Sequence, residues 1–278
     1  MLGFGLGLNK WRRVGGGFVG LLDLYPNAAA AYSLRKLRAA YSGSAVRVRK
    51  EVSLVSSETD IGFAADGSLD TVSLLAFASD ADSGDVFVVT WYDQSLSNDA
   101  TQGTGASQPK IVSGGAVITE GTSAKPAVDF DGVDDGFTTS LSGNSTFDFY
   151  SVIRATIGNS FILPDNDSVN SSYYGYLARA DTSTTIYSSY GTPSLYVNGA
   201  LETPITRSEV RDLLSTGNQL LNVHQGADTS AWSYIEMFGR FGFVFDGTAQ
   251  EIIIFNSDQS SNRAGIETNI NTFYSIYP

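Results

Sequence analysis

No cysteine occurs in the 278 residues. Disulfides and thiolate metal sites are therefore excluded, and the fold must hold together by burial alone. Histidine occurs once, at His224, which rules out a multi-histidine metal site within one chain. A Ser-His-Asp triad would have to use it. Its setting, Leu220-Leu221-Asn222-Val223-His224, reads as a strand with no nucleophile elbow beside it, so a half-exposed strand histidine is expected. No apolar run approaches the ~20 residues of a membrane-spanning helix. The N-terminus does not read as a secretory signal, because its basic residues follow the short apolar segment instead of preceding it. Basic residues are also scarce beyond residue 50. Nine lie in residues 1–50 (Lys10, Arg12, Arg13, Arg35, Lys36, Arg38, Arg47, Arg49 and Lys50) against one acid, Asp23. Of the overall charge of −12, the other 228 residues hold −20. An acidic body repels nucleic acid, and no nucleic-acid partner is expected. Arg47, Arg49 and Lys50 read as outward positions of an alternating strand.

Hydrophobic residues make up 42% of the chain, enough for a large core without covalent staples. Short β-branched and aromatic runs separated by Gly, Ser, Asn and Asp turns predict an all-β, two-sheet β-sandwich with a few short helices and a C-terminal helix. Val86–Tyr92 reads as a strand buried on both faces, and Asn198-Gly199 as a tight hairpin turn. Val86, Val88, Phe130, Val152, Ile252 and Ile254 are expected between the sheets. Helices are expected over Asn27–Ala40, over Leu69–Ala78 with Val72, Leu75 and Ala76 inward, over Ser208–Leu214, and over Asp258–Tyr277. In the last, Ile266, Ile270, Phe273, Tyr274 and Tyr277 share one face.

Residues 1–21 form a glycine-rich arm, and residues 22–278 the sandwich domain. Leu2, Phe4, Leu6 and Leu8 alternate with glycines and are followed by Lys10-Trp11-Arg12-Arg13. Glycine weakens an isolated strand, so Leu2, Phe4, Leu6, Leu8, Trp11, Arg12 and Arg13 are expected to anchor the chain on a partner, by strand addition or as an extended tail. A homo-oligomer is expected.

Two regions offer chemistry. The stretch Asp85–Gln102 delivers a hydrophobic strand to a polar corner. Trp91, Tyr92, Asp93, Gln94 and Asn98, with Tyr174 from the tyrosine-rich Tyr173-Tyr174-Gly175-Tyr176, could stack on sugars and hydrogen-bond hydroxyls. The same strand could equally be core ending in a solvated corner. The acidic run Asp129-Phe130-Asp131-Gly132-Val133-Asp134-Asp135 is either a strand–turn–strand or a calcium site built from Asp129, Asp131, Asp134 and Asp135. No other cofactor is expected.

Trp91-Tyr92-Asp93-Gln94-Ser95 followed by Asn98-Asp99-Ala100-Thr101-Gln102 resembles the catalytic domain of arabinofuranosidase B (glycoside hydrolase family 54). It resembles still more the laminin-G-like, concanavalin-A-like domains of phage virion and tail proteins. Ala31–Arg35, Tyr41-Ser42-Gly43, Val46–Arg49, Thr59–Gly62, Ala127–Asp135, Ala249–Phe255 and Asn269–Tyr274 fit in order, over roughly residues 22–278. The resemblance implies a concanavalin-A-like jelly roll. It further implies a structural or host-recognition protein of a bacteriophage particle, located in the virion, with other virion proteins and host surface glycans as partners. An arabinofuranosidase-like hydrolase and a purely architectural virion protein are the alternatives. The family's Asp-Leu-Glu-Asn-Gly nucleophile segment has no match here, and its disulfides are missing, so the chain is expected not to be an enzyme.

Overall fold

The computed structural model describes residues 17–156, 160–165, 174–215, 218–240 and 243–278. Two antiparallel sheets face one another. The first runs through the strands Ala200–Glu202, Ser194–Val197, Leu220–Ala227, Phe147–Ala155 and Asp246–Phe255. The far edge of Asp246–Phe255 is shared end to end by β1 (Ala30–Ser33) and by Val128–Asp131. The second sheet begins with β3 (Val55–Ile61), β2 (Val46–Val52) and β4 (Val86–Trp91). It continues through Ala100–Thr101, Phe137–Thr138, Glu236–Met237, Ser160–Asp165 and Tyr174–Arg179. Lys110–Ser113 pairs with both β4 and Val128–Asp131 and joins the sheets at one corner. The all-β sandwich read from the sequence is the fold observed.

Strand alternation sorts the apolar residues between two cores. Ile252 and Ile254 enter the core between the sheets, together with Val86, Val88, Trp91, Phe130 and Phe149. Ile253 and Phe255 enter a second core on the outer face of the first sheet. There they meet Leu21 and Leu22 of α1 (Leu21–Leu24) and Ile266, Ile270 and Tyr274 of α4 (Arg263–Tyr274). Val152, expected between the sheets, belongs to this second core. Unbroken alternation along its strand places Phe149, Ile153 and Ala155 inward and Tyr150 and Val152 outward; the register shift beside them skips Gln250 on the partner strand.

Three further expectations are corrected. The segment expected as a helix over Asn27–Ala40 contains β1, whose Ala30 and Ala31 lie opposite Ile254 and Ile253. Of the helix expected over Leu69–Ala78, α2 (Thr71–Ala78) begins after Asp70, whose carboxylate accepts from the Ser73 N–H (3.0 Å). Its buried residues are Leu74 and Ala78, and Val72, Leu75 and Ala76, expected inward, are exposed. Arg47 is outward and bonds Asp60 (2.8 Å), but Arg49 and Lys50 are buried. Arg49 reaches Gln108 (2.6 Å), and Lys50 reaches the Phe77 carbonyl (2.8 Å) and Asp80. A capping box from Thr206 and Glu209 starts α3 (Arg207–Leu214).

Candidate functional site

The corner after β4 is a structural staple. Trp91 is fully buried in the core against Tyr32 and Phe137. Asp93 is buried, and its two oxygens accept from the N–H groups of Ala31 (2.8 Å), Ser95 (2.8 Å), Leu96 (3.1 Å) and Asn98 (3.1 Å) and from the Ser95 hydroxyl (2.7 Å). Gln94 is equally committed. Its Oε1 accepts from the Leu37 N–H (2.8 Å), and its Nε2 donates to the carbonyls of Ser33 (3.0 Å) and Arg35 (2.9 Å). Asn98 donates to the Ala29 carbonyl (2.9 Å), and its own carbonyl accepts from the Tyr32 hydroxyl. These groups clamp β1 to the corner, and no capacity is left over for sugar hydroxyls on Asp93. Asn98 is half-buried, and so is Tyr92. Its hydroxyl donates to Asp60 (2.9 Å), and burial together with that carboxylate pushes its pKa up to about 12. Tyr174 opens the Tyr174–Arg179 strand, and its side chain lies outside the described residues. Of the expected sugar-binding set, Trp91, Asp93 and Gln94 are thus corrected: they are buried inside the fold.

In the acidic run, Phe130 is core and the carboxylates of Asp131, Asp134 and Asp135 come within 4.8 Å of one another. Asp129 stays on its strand opposite Lys110, outside that group. Asp131 accepts from the Val133 N–H (2.8 Å), as an Asx turn does, and Asp135 accepts from the Asp131 N–H (3.0 Å). Burial, reinforced by Asp131, Asp134 and Asp129, pushes Asp135 up to about 7. Three oxygen ligands in one turn suit a hard cation. If calcium is held there, a chelator lowers the melting temperature and Asp131→Ala abolishes that sensitivity. Superimposed melting curves with and without chelator leave the run as a turn.

His224 is fully buried, which corrects the half-exposed expectation. Its Nδ1 lies 2.7 Å from the Tyr190 hydroxyl, and its ring packs against Tyr176 and Phe149. Burial pushes its pKa down to about 3, so the folded state holds it neutral. An unfolded histidine titrates near ~6.5. Below that pH the unfolded chain takes up a proton that the native chain refuses, so this contribution to stability is present above ~6.5 and lost as pH falls toward 3. Asp135 acts in the opposite sense, because its raised pKa favours the folded state on acidification. A paired comparison separates them. Between pH 7 and pH 5 the native protein should lose about 2 kcal/mol relative to His224→Gln, read from urea midpoints.

A concavity that the sequence did not indicate lies at one end of the first sheet. It is an open cleft of about 1050 Å³. Arg154 comes from the Phe147–Ala155 strand, and Gln219 immediately precedes the neighbouring Leu220–Ala227 strand. Glu120 and Gly121 come from the hairpin of Thr119–Glu120 and Lys125–Pro126. Glu202 closes the Ala200–Glu202 strand, and Glu209 and Asp212 come from α3. Arg154 holds Glu120 (3.1 Å). Gln219 is buried and bonded to Gln250. It passes so close to Gly121, whose φ is +74°, that a Cβ there would lie 2.0 Å from the Gln219 Oε1; glycine is required at that contact. Glu209 is committed to the N–H groups of Ile205 (2.6 Å) and Thr206 (3.0 Å), and Asp212 to Arg211 (2.6 Å). Glu202 is half-buried, beside Leu195 in the register, with no hydrogen bond or ion pair among the described residues. These residues are scattered over a hundred positions with no motif, and no local signal could have marked them.

No protein-family model matches the chain, and no curated protein matches it. Among solved structures, it is similar to a glutamate-to-glutamine mutant of a glycoside hydrolase family 54 α-L-arabinofuranosidase soaked with 4-nitrophenyl α-L-arabinofuranoside. The TM-score is 0.56 at 14% identity, covering 91% of this chain and 64% of that one. It is also similar to an arabinofuranosidase complexed with arabinofuranosyl-α-1,2-xylobiose, with a TM-score of 0.55, 14% identity, and 89% and 63% covered. A family 54 enzyme soaked with a cyclic sulfate inhibitor gives 0.53 at 16% identity, covering 91% and 64%. The chain thus spans less than two thirds of the length of these neighbours. At such identity the likeness is one of fold. The expectation that the chain is not an enzyme does not survive it, because each of the three carries this fold as a glycoside hydrolase.

Proposed function

We propose that the domain acts on glycans as a glycoside hydrolase, with Glu202 and Glu120 as its carboxylate pair. The observation that carries this reading is the cleft. It brings two carboxylates from separate elements to one open concavity, in a fold that solved arabinofuranosidases share. Glycoside hydrolysis needs one carboxyl group to protonate the leaving oxygen and a second to attack the anomeric carbon or activate water. Glu202, without a partner among the described residues, suits the proton donor. Glu120, fixed by Arg154, suits the nucleophile or base. The absent Asp-Leu-Glu-Asn-Gly segment means that the catalytic carboxylates must come from elsewhere in the chain, and the cleft supplies candidates.

The test is release of 4-nitrophenol from 4-nitrophenyl α-L-arabinofuranoside and of reducing sugar from arabinan and xylan-type polymers. Glu202→Gln and Glu120→Gln should each lower the rate at least ~100-fold at an unchanged melting temperature. No release from any substrate ends the hydrolase reading.

A role in a bacteriophage particle, with virion proteins and host glycans as partners, rests on the sequence resemblance and on the arm of residues 1–21. Residues 1–16, which include every expected anchor from Leu2 to Arg13, lie outside the described residues. Mass spectrometry of purified particles tests that role directly.

A further inference from the structure

Among the described residues, the outer edge of β3 is open, and β3 pairs with β2 alone. Which of its backbone groups face outward follows from β2. Arg49 pairs with Phe87 of β4, and the Glu51 carbonyl accepts from the Asp82 N–H (2.9 Å). The backbone of Arg49 and Glu51 is therefore turned away from β3, and antiparallel alternation leaves Val48, Lys50 and Val52 bonded to it. Ser53 and Leu54, with φ of 51° and 67°, form the two-residue turn that makes Val52 and Val55 a bonded pair. The N–H and C=O groups of Ser56, Glu58 and Asp60 consequently point outward, and none bonds to another described element.

Beside this edge, on the core side of the sheet, lies α2. Lys50 of β2 reaches its Phe77 carbonyl, and its exposed face carries Val72 (79% exposed) and Leu75 (39%). An unpaired edge flanked by exposed apolar side chains is a combination that native sheets cover.

We propose that residues Leu2–Leu8 of the same chain cover it as an added strand. Seven residues would lie along the seven of β3. Leu2, Phe4, Leu6 and Leu8 alternate with Gly3, Gly5 and Gly7, so a strand there presents all four apolar side chains on one face, toward Val72 and Leu75. The described chain begins in the right place. The Phe18 ring packs so close to Gly67 that a Cβ there would lie 2.5 Å from it, and Gly67 sits in the connection between β3 and α2. Residues 9–16 can span roughly 27 Å when extended, against about 23 Å for the length of β3. Lys10, Arg12 and Arg13 follow the apolar segment, and the charges on β3 are the acids Glu58 and Asp60.

The test is amide hydrogen exchange, followed residue by residue, in the full chain, in a chain lacking residues 1–16, and in the Phe4→Asp/Leu6→Asp variant. The amides of Ser56, Glu58 and Asp60 should exchange at least ~100-fold more slowly in the full chain than in either variant. Those of Ser57 and Thr59, bonded to β2, should be alike in all three and report that the domain is folded. If the truncated chain fails to fold, those two amides show it, and the double variant carries the comparison. Equal exchange at Ser56, Glu58 and Asp60 in all folded chains overturns the proposal. Protection that disappears on dilution, with a dimer seen by sedimentation, assigns the edge to the segment of a second copy and overturns the same-chain form.

Discussion

Asp93→Ala should destabilise the domain by about 3–5 kcal/mol in urea unfolding. The carboxylate accepts five hydrogen bonds, from Ala31, Leu96, Asn98 and twice from Ser95. Leu96 and Asn98 lie near solvent and can turn to water. The donors of Ala31 and Ser95 are buried and cannot. Each buried donor left without an acceptor costs about 1–3 kcal/mol. Asp93→Asn should cost less, because one oxygen remains, but the new amide group must face N–H groups that need an acceptor. A sugar-contacting Asp93 predicts the reverse pattern: native stability with lost glycan affinity.

That corner shows where reading residues in a line reaches its limit. Trp-Tyr-Asp-Gln-Ser looks like a binding corner because it is polar and follows an apolar strand. Its polar groups are instead spent on β1, sixty residues earlier, whose backbone offers the donors and acceptors that Asp93 and Gln94 satisfy. β1 itself was hidden by its alanines, which favour a helix in isolation. They are alanines here because the strand is covered on both faces, with Ala30 in one core and Ala31 in the other. Asn27, at φ +69°, turns the chain before it. The phase of α2 was unreadable for a different reason: Thr-Val-Ser-Leu-Leu-Ala-Phe-Ala has no charged face to fix which side is buried. Where a regular period coincides with strong burial, as in Ile252 to Phe255 or in Ile266, Ile270 and Tyr274, sequence and structure agree. The cleft had no such period, since its lining residues come to one place only after the sheet has formed.

The second large effect is expected at Arg35 and Glu251, which lie almost wholly out of water where β1, the Asp246–Phe255 strand and α4 meet. The guanidinium grips the carboxylate through two bonds, Nε to Oε2 (2.7 Å) and Nη2 to Oε1 (2.8 Å). The hydroxyls of Ser33 (2.7 Å) and Tyr274 (3.2 Å) complete Oε2, and Arg35 Nη1 reaches Asn269 of α4 (3.0 Å). The pair therefore ties the helix to the sheet through two of its residues. Removing one partner leaves an uncompensated buried charge, which costs about 3–5 kcal/mol. Glu251→Ala and Arg35→Met should each fall in that range. Replacing both by apolar residues of similar volume, as in Arg35→Met/Glu251→Leu, removes both desolvation penalties and should cost much less than the two single losses together. Urea midpoints for the native protein, the two single variants and the double close the cycle. A double variant as damaged as the sum of the singles would mean that the two charges do not couple.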